Sequence, residues 1–325
     1  MATMKDVAKK AGVGLGTVSR HINKSGYVGA ETRKKIAEAI KELDFQPNVL
    51  AQSLNSGRSK FIGFLVPSIR NPFFSEVVSI IENLLWERGY KLIICNVEGN
   101  IEKEKEYVKF LKQSYAAGII ISTNYSKSDY LDKIDIPIVA FDRIINDKIP
   151  YVVSKNSEGG SLAAKTLIDR GAKKILYISG NEDIWTAQSR LKGFKKEISQ
   201  YQDVSFDVIF TDNEIVIDVN VLMEKLSDKS FDGVVVWNEK IASNALMVIN
   251  QLQVNVPEEL QIVSFDGLFI GENTYPKLTT IKQEIQAMSE KVVELVIGLD
   301  ENKNEIQIDN EFEMNIILRE TTRQI

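Results

Sequence analysis

The sequence predicts an all-α helix-turn-helix head joined by a short linker to an α/β body of two lobes. Three observations carry that expectation. Residues 1–46 hold three short segments with apolar residues at helical spacing, whereas from Phe61 onward short apolar runs alternate with longer amphipathic stretches, as parallel strands and their covering helices do. Charge divides the same way: residues 1–60 carry 11 Lys and Arg against 5 Asp and Glu, a net +6, while the remainder carries 29 against 40 and the whole chain is −5. A length of 325 residues suffices for roughly two domains with sizeable cores.

In the head, Met4 to Ala11 places Val7, Ala8 and Ala11 on one helical face, and Thr3 with Asp6 makes a capping box. Gly12, Val13 and Gly14 allow a tight corner. Leu15 to Ile22 forms a second helix that buries Val18 and Ile22 and turns Thr17, Ser19 and Arg20 outward, with Asn23 following. A third helix, Ala30 to Leu43, closes the core with Ile36, Ala37, Ile40 and Leu43 and leaves Lys34, Lys35 and Lys41 outside. The short polar second helix suits the DNA major groove, where Arg donates twice to guanine and Ser or Thr reaches bases or phosphates. Thr17, Ser19, Arg20 and Asn23 are therefore candidate DNA contacts; a helical bundle without nucleic acid is the alternative.

Phe45, Gln46 and Pro47 stop the third helix, and Asn48 to Ser56 is a further helical stretch too short to be stable alone in water. The expected domains are a head at 1–46, a hinge and linker at 47–60, and a body at 61–325.

Candidate strands in the first half of the body are Ile62 to Val66, Leu92 to Cys95, Gly118 to Ser122 and Ile138 to Phe141, with helices near Phe73 to Arg88 and Glu102 to Gln113. A second set follows, with strands near Ile175 to Ile178, Gly233 to Val236 and Ile262 to Phe265 and helices near Ser157 to Arg170, Ser189 to Ser199 and Lys240 to Gln251. Ligands of such sheets bind beyond the carboxyl ends of the strands, where Ser122, Asp142, Asn238 and Asp266 fall. Carboxylates and amides there suit sugar hydroxyls; the alternatives are that Asp142 and Asp266 cap or brace loops, or that the acidic residues serve as acid and base in a sugar-modifying enzyme. Phe73 follows Pro72 at a helix start, so nearby backbone N–H groups are expected to face a ligand. Phe73 and Phe74 are expected to split between cleft and core, and Trp185 and Trp237 lie near the mouth, suited to stacking on a sugar or to core packing.

Cys95 is the one cysteine and His21 the one histidine, which excludes a disulfide framework, a zinc cluster and any Cys/His or Ser/His pair in the body. No metal, cofactor or catalytic group is expected, and Cys95 in LIIC reads as a buried small hydrophobe. Gly12, Gly14 and Gly16 follow no strand, so their spacing belongs to the turn rather than to a dinucleotide site. No signal peptide precedes Met4 and no apolar run approaches spanning length, so a cytoplasmic protein without a membrane partner is expected.

The run DVAKKAGVGLGTVSRHIN, then QPNVLAQSLNSGRS, IGFLVPSIRNPFF, IPIVAFDR, SRLKGF, VSFDG and YPKLTTIKQ, resembles the LacI/GalR family of transcription regulators over essentially the whole chain. The resemblance implies a periplasmic-binding-protein-like effector domain and a homodimer on double-stranded operator DNA. It implies effector contacts at Phe73, Ser122, Asp142, Arg190, Asn238 and Asp266, with Arg190 at the start of its helix. It also implies hinge helices in the minor groove, where Leu54 wedges a base step and Ala51 allows close approach. The absence of C-terminal leucine heptads points to a dimer rather than a tetramer.

Several positions depart from the family pattern. Leu15 and Gly16 replace base-contacting polar or aromatic residues, so the operator sequence is open. Gly14 and Gly29 replace capping residues, His21 an apolar residue, Gln52 an Arg and Lys155 an Asp. The runs LIICNVEGNIEKEKEY, PIVAFDR and SFDGLFIGEN are most similar to family members that control sucrose and ribose operons, which implies a pentose or fructoside effector. Within the family, the purine branch would reverse the sign of control and shares the Phe73, Phe74 pair, and the catabolite-control branch would bind a phosphocarrier protein. Outside it stands a sugar-binding protein with no DNA role, against which the basic head argues.

Overall fold

Thr3 starts the head as its sequence suggests. Its hydroxyl accepts from the Asp6 N–H at 3.3 Å and the Asp6 carboxylate accepts from the Thr3 N–H at 2.9 Å, closing the capping box of α1 (Met4–Ala11). Gly12, at φ 66°, ends that helix in the left-handed region that disfavours a side chain. Helices α2 (Leu15–Asn23) and α3 (Ala30–Glu42) complete the bundle, whose core is Val7, Ala8, Val18, Val28, Ile36, Ala39 and Phe45. The expected core position Ala37 is exposed; Ala39, three residues after Ile36 and so on the same face, is buried instead. Ile22, Ile40 and Leu43 pack at the edge of this cluster.

This computed structural model describes residues 2–23, 25–46, 59–122, 129–211, 216–301 and 309–324. The expected hinge helix, with Ala51, Gln52 and Leu54, lies outside them. The chain divides into two units, Met1–Ser59 and Lys60–Ile325.

The second unit contains two six-stranded sheets. Its elements run β1 (Phe61–Val66), α4 (Pro72–Glu87), β2 (Lys91–Asn96), α5 (Ile101–Gln113), β3 (Gly118–Ile121), β4 (Ile138–Phe141), β5 (Tyr151–Ser154), α6 (Asn156–Asp169), β6 (Lys174–Ser179) and α7 (Trp185–Ile198). Then come β7 (Ser205–Phe210), α8 (Val219–Leu226), β8 (Gly233–Val236), α9 (Glu239–Gln251), β9 (Gln261–Asp266), α10 (Phe269–Glu272), β10 (Thr279–Gln283), α11 (Ile285–Asp300), β11 (Asp309–Phe312) and β12 (Met314–Ile317). The first sheet has the order β11-β5-β4-β3-β1-β2 and is parallel throughout; the second, β12-β10-β9-β8-β6-β7, is parallel except for β12. Both are covered by helices, which is why their central strands read as unbroken apolar runs such as FIGFLV and GVVV.

The lobes are not consecutive halves of the body. Helix α11 and strand β11, near the C-terminus, belong to the first lobe, where Met288, Val292, Val293 and Val296 pack with Phe64, Val77 and Ile120. The chain therefore passes between lobes three times, at Ser154–Asn156, Gln283–Ile285 and Glu313. These passages are tied together: Lys155 N–H donates to Phe312 O at 2.8 Å, the Lys155 ammonium pairs with Glu313, and Ser154 Oγ donates to Gln283 Oε1 at 2.8 Å. Cys95 is buried in the first lobe and burial pushes its thiol up to about 12, as suits a small hydrophobe. Among the described residues no helix is long and apolar enough to cross a membrane.

Candidate functional site

Helices α6 and α7 touch backbone to backbone. A Cβ on Gly160 would lie 1.9 Å from Arg190 O, and one on Gly193 only 1.7 Å from Ser157 O, so any side chain there would force the helices apart. Because they meet this closely, Arg190 of α7 reaches the start of α6, where its Nε donates to Asn156 Oδ1 at 2.8 Å. Its Nη1 donates to Trp237 O at 2.5 Å and lies 3.5 Å from Asp266 Oδ1, and the guanidinium stands 4.6 Å from the Phe265 ring centroid. Arg190 is buried, and because α7 begins at Trp185, earlier than the expected Ser189, it sits inside the helix and not at the start where the sequence expectation put it.

Asp266 ends β9 at φ 110°, a conformation that costs a non-glycine residue about 1–3 kcal/mol and recurs at ligand sites. Its Oδ1 accepts from Gln283 Nε2 at 2.9 Å. Burial pushes the Asp266 carboxyl above the usual carboxylate range, against the opposing pull of Arg190 and of Gln283. Behind it, the Glu239 carboxylate accepts from Leu268 N–H at 3.0 Å and Gly271 N–H at 3.1 Å, pinning the turn that follows Asp266. Burial and the neighbouring Asp266 raise Glu239 to about 7. Asn238 Oδ1 accepts from Ile241 N–H at 2.7 Å as the N-cap of α9.

The opposite wall comes from the first lobe. Phe73 lies 5.1 Å from Phe74 edge-on and 6.4 Å from Phe141 in a stacked arrangement, and Asp142 follows β4 at φ 60°. Of the backbone N–H groups near Phe73 expected to face a ligand, that of Phe73 itself donates to Asn71 Oδ1 at 3.1 Å, the N-cap of α4.

Between the walls is an open cleft of about 330 Å³, lined by Asn71, Phe73, Phe74, Asp142, Arg143, Ile184, Thr186, Arg190, Trp237, Asn238, Asp266 and Gln283. Five of the six expected effector contacts, Phe73, Asp142, Arg190, Asn238 and Asp266, meet there. Ser122 does not line it; its Oγ donates to Phe141 O at 2.6 Å. Trp237 lines the cleft, whereas Trp185 packs against the first lobe's core. Asn71, Arg143, Thr186 and Gln283 are additions to the expected set. Arg143 and Gln283 close the quoted runs IPIVAFDR and YPKLTTIKQ, a signal that was available; Thr186 precedes the expected start of its helix and gives none. The arrangement offers amides and carboxylates of fixed direction over an aromatic floor, which suits a small polyhydroxylated ligand.

In the head, Arg20 and Asn23 are exposed and Thr17 and Ser19 half-buried along α2, with Asn23 Nδ2 donating to Ser19 Oγ at 3.3 Å. Leu15 is 43% exposed at the start of the helix, where it can offer only apolar contact.

Residues 3–48 match the model of bacterial regulatory proteins of the lacI family, and residues 59–315 that of periplasmic binding proteins and the sugar binding domain of the LacI family. The chain is 36% identical over 324 residues to a ribose operon repressor of Halalkalibacterium halodurans, covering 99% of this chain and 98% of that one. It is 37% identical to a periplasmic binding protein/LacI transcriptional regulator from Alkaliphilus metalliredigens solved with D-xylulofuranose, at a TM-score of 0.75 over 82% of this chain and 100% of that one. A lac repressor dimer bound to operator and the anti-inducer ONPF matches at a TM-score of 0.88 and 25% identity over 99% of each chain.

Proposed function

The chain belongs to the LacI family of bacterial regulatory proteins, repressors that bind operator DNA and answer to small effectors, and from that premise we propose that it is a homodimer controlled by a pentose. The sugar binds in the cleft, with Arg190, Asn238 and Asp266 on one side and Phe73 and Asp142 on the other. The observation that carries this reading is the chain Arg190, Asp266, Gln283, Ser154, which joins the buried ion pair of the cleft to two of the three passages between lobes. A ligand that replaces or reinforces contacts at Asp266 acts on the passages about which the lobes turn.

Similarity to known regulators favours a single sugar ring. The ribose operon repressor and the regulator solved with D-xylulofuranose are proteins to which this chain is similar at over a third identity.

In the sugar-free state, two heads read a pseudo-palindromic operator through Thr17, Ser19, Arg20 and Asn23, and the hinge places Leu54 and Ala51 in the minor groove. Sugar binding changes the angle between lobes and releases the operator. By linkage, operator must weaken sugar binding by the factor by which sugar weakens operator binding.

Thermal unfolding of the full chain against D-ribose, D-xylulose, sucrose and hypoxanthine tests the reading, since a ligand for the folded state raises Tm with concentration. A shift with a pentose, together with loss of an operator gel shift on adding it, is expected. A shift with hypoxanthine alone would reverse the sign of control, and no shift with any of them would remove the cleft assignment.

A further inference from the structure

Trp237 lines the cleft and is only 5% exposed, yet its indole Nε1–H has no hydrogen-bond acceptor among the described residues. Buried donors are nearly always paired, so a cleft-lining residue with an orphan donor lacks an acceptor that a ligand can bring. The residue is held firmly. Its carbonyl accepts from Arg190 Nη1 at 2.5 Å, and its ring rests on Gly180, where a Cβ would come within 2.8–2.9 Å of three ring atoms. Ile184, also on the cleft wall, shares its apolar cluster.

We propose that Trp237 sets the ligand specificity of the cleft: its indole N–H donates to an oxygen of the bound sugar, and its ring, seated on Gly180, restricts the cleft to one sugar ring. This rests on the reading of the cleft as a sugar site. Ring and hydroxyl oxygens of a furanose supply the missing acceptor, while its C–H face meets the apolar part of the wall. Tryptophan suits the task because a large rigid surface with one polar tip loses little freedom on binding. Smaller residues at position 237 would widen the cleft and admit a second ring.

Titration calorimetry of the full chain with D-ribose, D-xylulose and sucrose tests this in the native protein and in Trp237→Phe, Trp237→Ala and Gly180→Ala. The native chain should bind one or both pentoses in preference to sucrose. Trp237→Phe, kept below its own sugar-free Tm, should lose roughly 5- to 10-fold in pentose affinity, the size of one neutral hydrogen bond. Trp237→Ala should narrow the preference over sucrose by an order of magnitude or more, and Gly180→Ala, which displaces the ring without deleting the N–H, should narrow it too. Native affinity in Trp237→Phe would overturn the hydrogen bond, and an unchanged ranking in both Trp237→Ala and Gly180→Ala would overturn the restriction. Should the native chain bind none of the three sugars, the sugar site itself falls and the role of Trp237 with it.

Discussion

The two walls of the cleft are built on opposite plans. On the second-lobe wall almost every polar group is already engaged: Arg190 holds Asn156, Trp237 and Asp266, Gln283 holds Asp266, and Asn238 caps its helix. The first-lobe wall sets Asn71, Asp142 and Arg143 around Phe73 and Phe74, and these two rings, with Phe141 behind Phe73, are joined by surface contact rather than directed bonds. A wired wall fixes where hydroxyls must sit and fails abruptly when one member is lost; an apolar wall tolerates exchange and tunes affinity by degree.

Arg190→Ala should show the largest effect. Removing one partner of a buried pair typically costs about 3–5 kcal/mol, so urea denaturation should show a loss of that order and calorimetry no sugar binding. Glu239→Gln tests the support behind the same wall. Because its folded-state value of about 7 lies above the ordinary 4.5, Glu239 contributes stability that is complete below pH 4.5 and is lost as pH rises through about 7. The native chain should therefore lose up to about 3 kcal/mol more than Glu239→Gln across that window, by the linkage of roughly 1.4 kcal/mol per unit.

Gly193→Ala, which adds an atom 1.7 Å from Ser157 O, should cost about 1–3 kcal/mol as an overpacked contact, and sugar affinity should fall with it because Arg190 moves with α7. Phe73→Leu on the other wall should be mildest, near the 0.5–1.5 kcal/mol of an aromatic pair, with sugar binding weakened but retained. Equal losses in Phe73→Leu and Arg190→Ala would erase the contrast between the walls.

The same contrast explains what was legible in the sequence. Asp142 and Asp266 were found because each follows an apolar run, and strand ends are where such sheets bind ligands. Gln283 was missed because its strand, TTIKQ, hides its burial behind polar residues; Thr279 and Thr280 are fully buried with their hydroxyls bonded inside the second lobe. Strand β7, SFDVIF, escaped because alternation in an edge strand leaves no apolar block. Ser122 lies just past the end of its strand, as its place after an apolar run implies, and its hydroxyl reaches the neighbouring carbonyl of Phe141. In the head, local chemistry sufficed for the helix ends: Thr3, Asp6 and Gly12 act within a few residues of themselves. Ala37 was misplaced there because several three-to-four-residue spacings fit the same helix, and partner helices decide which face is used.

The threefold passage between lobes also has a consequence for how the molecule is made. Lobe one begins to emerge from the ribosome with β1 but must wait for α11, whose Met288, Val292 and Val296 fill its core, and for β11 at its sheet edge. The nascent chain thus carries all three helices of the head once Glu42 has been added, yet neither lobe of the sensor is complete until Phe312 has been added and β12 follows. Translation interrupted late would release a reader with an unfinished sensor, exposing apolar surface of the kind that makes partly folded chains aggregate.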